Sequence, residues 1–103
     1  MNKVRYTQAA QRDLTEAWLF VAEDNLAAAD QLIDKIKRDI DKLTAYPQLG
    51  RLRAELAQDL RSWSTTTPYI VYYLPDDSSV TIIRVLHHSR DIDQHSFTSD
   101  NHH

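Results

Sequence analysis

Cysteine is absent from the chain, and glycine occurs once among its 103 residues. The lack of thiols excludes a disulfide framework and a thiolate-bound metal site, and it is typical of proteins from a reducing compartment. One glycine and three prolines exclude collagen-like and low-complexity chains. The composition is instead 42% hydrophobic and 26% charged, as in a folded globular protein. A chain of this length can build one hydrophobic core, so we expect a single domain over residues 1–93.

Long apolar runs are also absent. The longest run, residues 69–74, is far shorter than the roughly 20 residues that cross a bilayer. The first residues contain no signal-peptide core. We therefore expect a cytoplasmic protein that has no membrane partner.

A basic excess is the third feature that the chain lacks. It carries 12 basic and 15 acidic residues, with a net charge of −3 and a pI of about 5.9. Proteins that bind nucleic acid by neutralising many phosphates are usually basic overall, because counterion release supplies their affinity. Local patches can still contact phosphates, so we expect nucleic acid to be contacted only indirectly.

The first part of the chain predicts a strand and then a helix. Residues 3–6 alternate polar and apolar side chains, as a short strand does. Thr7 follows as a candidate N-cap. The apolar stripe of the helix recurs at three- and four-residue spacing: Ala10, Leu14, Ala17, Trp18 and Val21.

A second helix is the clearest prediction from the sequence. Residues 24–25 interrupt the first pattern and can cap the second helix. Pro47 disfavours the helical conformation at Tyr46 and ends the helix there. The stripe steps by four, three, four and three residues: Ala29, Ile33, Ile36, Ile40 and Leu43. With so short a break between them, the two helices should form an antiparallel hairpin.

Three strands are predicted in the second half of the chain. Residues 60–64 alternate, with Arg61 and Trp63 on one face. Residues 69–74 are a β-branched and aromatic run typical of a central strand, and residues 80–86 form the last strand. The predicted fold is therefore α+β in the order β-α-α-β-β-β, with the helical hairpin packed on a mostly antiparallel four-stranded sheet.

The sequence context also predicts the surroundings of the tyrosines and of the C-terminal residues. Tyr69, Tyr72 and Tyr73 should pack within the sheet with their hydroxyl groups reaching water. Residues 94–103 form a polar C-terminal tail that we expect to fray. Its two terminal histidines match a tag remnant and carry no weight.

Five segments, in this order and spacing, resemble the RelE/ParE superfamily of toxins over about residues 3–92. They read YTQAAQRDL (6–14), YPQLGRLRAEL (46–56), LRSW (60–63), YIVYY (69–73) and IRVLHHSRD (83–91). The resemblance implies the toxin of a type II toxin–antitoxin module that works without a cofactor. It also implies a cognate antitoxin, ParD-like or similar, whose C-terminal segment folds on the toxin.

The superfamily divides by target, and one departure favours the ParE-like branch. RelE-like members cut mRNA on the ribosome, whereas ParE-like members poison DNA gyrase. The nucleases typically open the third strand with an arginine that stabilises the phosphorane, but Tyr69 stands there, after Pro68. A neutral phenol poorly replaces a guanidinium at a dianionic transition state. We therefore expect a gyrase inhibitor rather than an enzyme. The alternatives are a ribosome-dependent mRNA endonuclease and a non-toxic relic that binds its antitoxin only in autoregulation.

RNA cleavage would need a base, an acid and a cation near the phosphate. If the chain were a nuclease, these would come from His87, His88, Arg84 and Arg61. Adjacent residues of a strand face opposite sides, so the two histidines should not share a site unless the strand ends between them. We expect one imidazole to be packed and the other solvated, with no metal site.

Side chains that could contact a target form a wider set, each with a structural alternative. The arginines near residue 51 could instead pair with Glu55 and Asp59 on the surface. The tryptophan could belong to the core or face the antitoxin. Alternation places Arg84 on one face with Ile82 and Leu86, where a partly buried arginine needs a partner and is either a structural keystone or a contact. The candidates are Arg51, Arg53, Arg61, Trp63, Arg84 and Arg90.

Overall fold

A computed structural model of the chain describes residues 3–97. The elements are β1 (Lys3–Tyr6), α1 (Gln8–Ala22), α2 (Leu26–Ala45), β2 (Arg51–Leu52), β3 (Arg61–Ser64), β4 (Tyr69–Pro75), β5 (Ser79–His87) and the 3-10 helix η1 (Gln94–Phe97). The predicted α+β class is confirmed, and the four predicted strands end within one residue of the observed bounds. In the described part of the chain, neither helix is long and apolar enough to cross a membrane.

The sheet has five strands where four were predicted. Their order is β1-β5-β4-β3-β2, with β1 parallel to β5 and the other pairs antiparallel. The additional strand, β2, pairs Arg51 with Ser62 and Leu52 with Arg61. Two residues are too few to show a period-two alternation, so only their pairing with β3 identifies them as a strand.

The cap of α1 also ties the helix to the sheet. The Thr7 hydroxyl accepts from the Ala10 amide at 3.0 Å, as predicted for an N-cap. The same hydroxyl donates to the Ile83 carbonyl at 2.8 Å. The first turn of α1 is therefore anchored directly beside β5.

The bounds of α2 follow from its two ends. Asn25 accepts from the Ala28 amide at 2.9 Å, which confirms it as the cap. Tyr46 leaves the helical conformation, with φ −134° and ψ 76°, as Pro47 requires. The two helices pack on each other and on one face of the sheet, which confirms the hairpin.

Apolar side chains cover both faces of the sheet. One buried cluster lies between the sheet and the helices, and it includes Ile36, Ile40, Val71, Tyr73 and Ile82. A second cluster, on the opposite face, is formed by Leu60, Tyr72 and Leu86, with Leu56, Ile92 and Phe97 packed against it. The chain therefore covers the far face of its own sheet with the loop before β3 and the C-terminal segment.

The C-terminal segment is ordered as far as the structure describes it. Residues 94–97 form η1, and the Phe97 ring packs against Tyr72 with 4.9 Å between ring centroids. The predicted fraying is therefore wrong for residues 94–97, which form η1, and the Phe97 ring is packed. Residues 98–103 of that tail lie outside the described residues.

A β-bulge interrupts the regular alternation of β5. The pairing with β4 shifts between the two buried tyrosines and leaves Ile83 as an extra residue. As a result Ile82 joins the helix-facing cluster and Leu86 joins the opposite cluster. The common face predicted for Ile82, Arg84 and Leu86 is therefore wrong, because simple alternation does not include the bulge.

Candidate functional site

A buried ion pair connects α1 to the last strand. Arg84 donates to the Asp13 carboxylate through Nε at 2.7 Å and through Nη2 at 2.9 Å. The Val85 amide donates to the same carboxylate at 2.9 Å, and Arg84 Nη1 donates to the Ser96 carbonyl at 3.3 Å. Such bidentate, charge-assisted contacts are among the strongest in proteins. The partner expected for a partly buried Arg84 is therefore Asp13, and the pair ties α1 to β5.

Asp13 is buried because it completes the edge of β5. Pairing with β1 ends at Ile82, and the chain then turns into α1. Beyond that point the outer edge of β5 needs other partners, since buried backbone groups must be hydrogen-bonded. Thr7 supplies a donor to the Ile83 carbonyl, and Asp13 supplies an acceptor to the Val85 amide. The N-cap Thr7 and Asp13 of α1 thus replace the missing strand.

An arginine-lined hollow of about 530 Å³ opens beside this ion pair, between α1, β5 and η1. Arg12, Arg84 and Arg90 line it, together with Asp13 and Glu16. A smaller hollow of about 260 Å³ lies alongside and shares Arg90, Asp13 and Glu16 with the first. The structure therefore brings two of the predicted contact residues, Arg84 and Arg90, into one polar cleft.

The two histidines lie at the point where β5 ends. The strand stops at His87, which is the exception that the prediction allowed, and the His87 and His88 rings stack at 4.6 Å between centroids. His87 is half-buried, meets the Tyr69 ring edge-on at 5.2 Å and bonds through Nδ1 to the Ser89 hydroxyl at 2.8 Å. His88 is exposed, which confirms that one imidazole is packed and the other solvated. No group of three potential metal ligands occurs within residues 3–97.

Arg61 does not meet the other three candidate nuclease residues. Arg61 pairs with Tyr73 of β4, whereas His87 pairs with Tyr69. Four positions along the strands and two strand spacings therefore separate Arg61 from His87, or roughly 16 Å between backbone positions. The guanidinium of Arg61 donates to the Gly50 carbonyl at 2.7 Å. Arg61 therefore holds the loop before β2, far from the histidines.

The arginines near β2 and β3 lie at the opposite edge of the sheet. Arg53 donates to the Glu55 carboxylate at 2.7 Å, which confirms the predicted surface pair. The hydrogen bond raises the pKa of Arg53 and lowers that of Glu55. Arg51 is exposed beside them. Because the Glu55 carboxylate is exposed, the pair contributes little to stability.

Tyr73 and Gly50 form a contact that sequence reasoning missed. The Tyr73 hydroxyl donates to the Pro47 carbonyl at 2.8 Å and accepts from the Gly50 amide at 2.8 Å. The prediction that this hydroxyl reaches water is therefore wrong, and burial raises the pKa of Tyr73. A Cβ atom at Gly50 would lie 2.6 Å from the Tyr73 ring, so no larger residue fits against the ring.

Trp63 packs in the helix-facing core, which was the structural alternative to its role as a target contact. Its side chain is half-buried against the helix-facing cluster, and Lys42 Nζ lies 5.7 Å from the ring centroid. Within residues 3–97, the buried indole Nε1 has no hydrogen-bond partner. An unsatisfied donor of this kind costs about 1–3 kcal/mol.

Known protein families provide an independent test of the fold and its motifs. The model of one family, described as the ParE toxin of the type II toxin–antitoxin system parDE, matches residues 4–92. The chain belongs to this family. The membership expected from the five sequence segments is therefore confirmed, and the chain is a toxin of the RelE/ParE superfamily.

Named relatives of this ParE-family chain carry both superfamily names. Toxin RelE2 and Toxin ParE3 of Caulobacter vibrioides are 31% and 32% identical, over 87% and 84% of this chain and 99% and 86% of theirs. Toxin ParE1 of Mycobacterium tuberculosis is 28% identical over 84% of this chain and 89% of its own. A solved structure of the chromosomal ParDE system from P. aeruginosa shares the fold, with a TM-score of 0.70 at 17% identity. That match covers 84% of this chain and 96% of the solved one.

The segments that carry the family resemblance provide most of the contacts described above. The first and last segments supply the ion pair of Asp13 and Arg84, which are 71 residues apart. The second supplies Pro47 and Gly50, which bond to Tyr73 of the fourth. Aspartate at a polar helix position gave no sign of its burial. Its carboxylate is needed as a hydrogen-bond acceptor because β1 does not pair with β5 beyond Ile82. That end of the pairing belongs to the tertiary structure.

Proposed function

We propose that this ParE-family toxin inhibits DNA gyrase in the bacterial cytoplasm and that a cognate antitoxin neutralises it. The observation that carries this proposal is that both arginines expected in an RNA-cutting site are engaged in contacts within the fold. Arg61 is bound to the loop before β2, and Arg84 is bound to Asp13. An arginine engaged in this way has fewer donors available for a developing phosphorane.

The position that opens the third predicted strand supports the same proposal. In the RNA-cutting relatives, by the resemblance above, an arginine stands where this chain has Tyr69. Burial raises the pKa of Tyr69 above its usual value, so the phenol remains neutral at physiological pH. A neutral phenol offers no positive charge to the reacting phosphate.

The covered far face of the sheet is a further argument against a nuclease. Tyr72 and Leu86 lie there beneath Ile92 and Phe97. Because Tyr72 and Leu86 are buried, that part of the face offers no exposed groups to a polyanion.

Apolar surface at the turn of the helical hairpin supports the proposal of an antitoxin partner. Leu19, Phe20 and Leu26 are more than half exposed there. Contiguous apolar patches usually mark protein–protein contacts. Segments that fold on binding can cover such a surface while their ordering entropy is offset by burial.

The test of the target compares gyrase with ribosomes. Purified toxin should make gyrase accumulate protein-linked, cleaved DNA in a supercoiling assay, and premixing with the antitoxin should prevent it. Unchanged gyrase activity together with mRNA cut at ribosomal A-sites would replace the proposal by the nuclease. The absence of both activities, with antitoxin binding retained, would identify a relic that acts only in autoregulation.

The nuclease remains a second candidate because of one observation. His87 and His88 lie on the same side at the end of β5, with their rings stacked. Imidazoles are the side chains best suited to transfer protons near neutral pH. The name RelE2 of one relative accords with this candidate.

The test of the antitoxin is co-expression with the protein encoded by the adjacent small open reading frame. We expect one size-exclusion peak that contains both chains at micromolar concentration. Two separate peaks would contradict the antitoxin part of the proposal.

A further inference from the structure

The two hollows beside the Asp13–Arg84 pair form one continuous groove, which we call the arginine groove. It runs along α1 and the end of β5, since both hollows are lined by Asp13, Glu16 and Arg90. One end is polar and contains Arg12 and Arg84. The other end is apolar.

We propose that the arginine groove binds a segment of the antitoxin in which an acidic side chain and an apolar side chain are presented together. This inference rests on the proposed antitoxin partner and adds the site and the chemistry of its recognition.

The polar end of the arginine groove has an excess of positive charge. Three arginines line it against two carboxylates, and the carboxylate of Asp13 is already bound to Arg84. Within residues 3–97, no acidic side chain lies within ion-pair distance of Arg12 or Arg90. The groove is therefore locally cationic on a chain whose net charge is −3, and a partner's carboxylate can complement it.

The apolar end of the arginine groove contains an exposed aromatic ring. Phe20 is 74% exposed and lines the groove with Ala17, Tyr69 and His87. When a partner's apolar side chain covers an aromatic ring in this position, the burial makes binding more favourable.

The spacing of the two ends defines the segment that fits. Arg12 and Phe20 are eight positions apart in α1, which corresponds to about 12 Å along the helix axis. A segment that lies along the groove must therefore present its carboxylate and its apolar side chain about this far apart. An extended peptide with an acidic and an apolar side chain four positions apart, on one face and separated by about 13 Å, meets that requirement.

The test removes the two exposed charges and compares the result with an equal loss elsewhere. Arg12→Ala with Arg90→Ala is the test variant. Lys35→Ala with Arg38→Ala is the matched control, because both residues are exposed on α2 and outside the groove. The probe is the full-length antitoxin from the adjacent reading frame, titrated by calorimetry into the full chain at low and high salt.

We expect the test variant to bind roughly 10- to 100-fold more weakly, as for lost hydrogen bonds to charged groups, and to depend less on salt. The control should stay within about twofold, since distant exposed charges are largely screened. Phe20→Ala should weaken binding about tenfold or more by removing the apolar contact. In a charge reversal, Arg90→Glu should be rescued by lysine at one acidic position of the antitoxin.

Three outcomes would overturn the inference, and they differ in what they say of the proposed function. Wild-type affinity in both groove variants would exclude the groove as an antitoxin site and leave the toxin–antitoxin pair intact. Loss of gyrase inhibition with unchanged antitoxin affinity would make the groove a target contact instead. No binding by the wild-type chain would contradict the antitoxin itself. Circular dichroism of each variant separates these results from unfolding.

Discussion

At the scale of single residues, the contact that organises the site is the pair of Asp13 and Arg84. The Asp13 side chain is 7% exposed, and its carboxylate accepts hydrogen bonds from both the Arg84 guanidinium and the Val85 amide. Removal of one partner leaves the other group buried without compensation, which is usually more costly than the pair itself is worth. We therefore expect removal of Arg84 to lower stability, so its effect on toxicity has to be measured on a variant that is shown to be folded.

The first prediction concerns this pair. Asp13→Asn retains the shape of the side chain but loses the charge that binds Arg84, so we expect the free energy of unfolding to fall by about 2–4 kcal/mol. Urea denaturation measures the change. Asp34→Asn, on the exposed face of α2, is the control and should change stability by less than about 0.5 kcal/mol. Equal stability of the two variants would show that the ion pair contributes little.

The second prediction separates the two mechanisms at His87 and His88. If they transferred protons in a nuclease, their joint replacement by alanine would lower the rate about 100- to 10,000-fold. We expect the double variant to fold and still to inhibit growth measurably, because the rings lie at the surface end of β5. Arg90→Ala should weaken toxicity more. A folded double-histidine variant without toxicity would instead support the nuclease.

At the scale of elements, β4 is the strand on which the rest of the sheet is assembled. It lies in the middle of five strands, and its tyrosines reach in different directions. Tyr73 packs among the helix-facing side chains and binds the loop at Gly50, whereas Tyr72 packs on the far face. Tyr69 meets His87 at the end of β5.

The third prediction follows from these tyrosines. Burial raises the pKa of Tyr69, Tyr72 and Tyr73 above the model-peptide value of 10.0. The unfolded chain therefore releases these protons at a lower pH than the folded chain, so the stabilisation is present below pH 10 and is lost as the pH rises through the raised values. Urea midpoints should be level up to about pH 9 and should fall beyond about pH 10.

Tyr73→Phe tests the element directly. It removes the bridge to Pro47 and Gly50, and we expect a loss of about 1–3 kcal/mol at neutral pH with a weaker alkaline decline. Tyr46→Phe serves as the control because Tyr46 is exposed. A midpoint that is constant to pH 11 in the wild type would contradict the role of the buried phenols.

At the scale of the whole molecule, the chain closes both faces of its sheet with different parts. The helices cover one face, and residues of the loop before β3 and of the C-terminal segment cover the other. The far face is therefore covered by the chain itself, and exposed apolar side chains lie at the turn of the helical hairpin and between Tyr46 and Leu52.

The fourth prediction tests the cover of the far face. Phe97→Ala removes the ring that packs on Tyr72, and we expect a loss of about 1–3 kcal/mol because Phe97 is only half-buried. Thermal unfolding of the full chain measures it, with Phe20→Ala as the control for an exposed phenylalanine. A larger effect of Phe20→Ala on the toxin alone would contradict the assignment of the two surfaces.

The sequence by itself determined the elements and the family. Helix stripes, the caps Thr7 and Asn25 and the stop at Pro47 are local signals, because a helix is specified by residues within a few turns of one another. The β-branched run of β4 and the ordered motifs were local in the same sense. They led to the α+β class and to the ParE toxin family, which the comparisons confirmed.

Only the tertiary structure decided which of these residues meet. The burial of Asp13 depends on where β1 ends, and the position of Arg84 depends on a bulge that shifts the register of β5. The Tyr73 hydroxyl finds its partners 23 and 26 residues away, and β2 exists only through β3. A period of two or 3.6 residues specifies a face of one element but not the partner across it. The arginine groove is therefore a product of packing, assembled from α1, β5 and η1 after each had formed its own pattern.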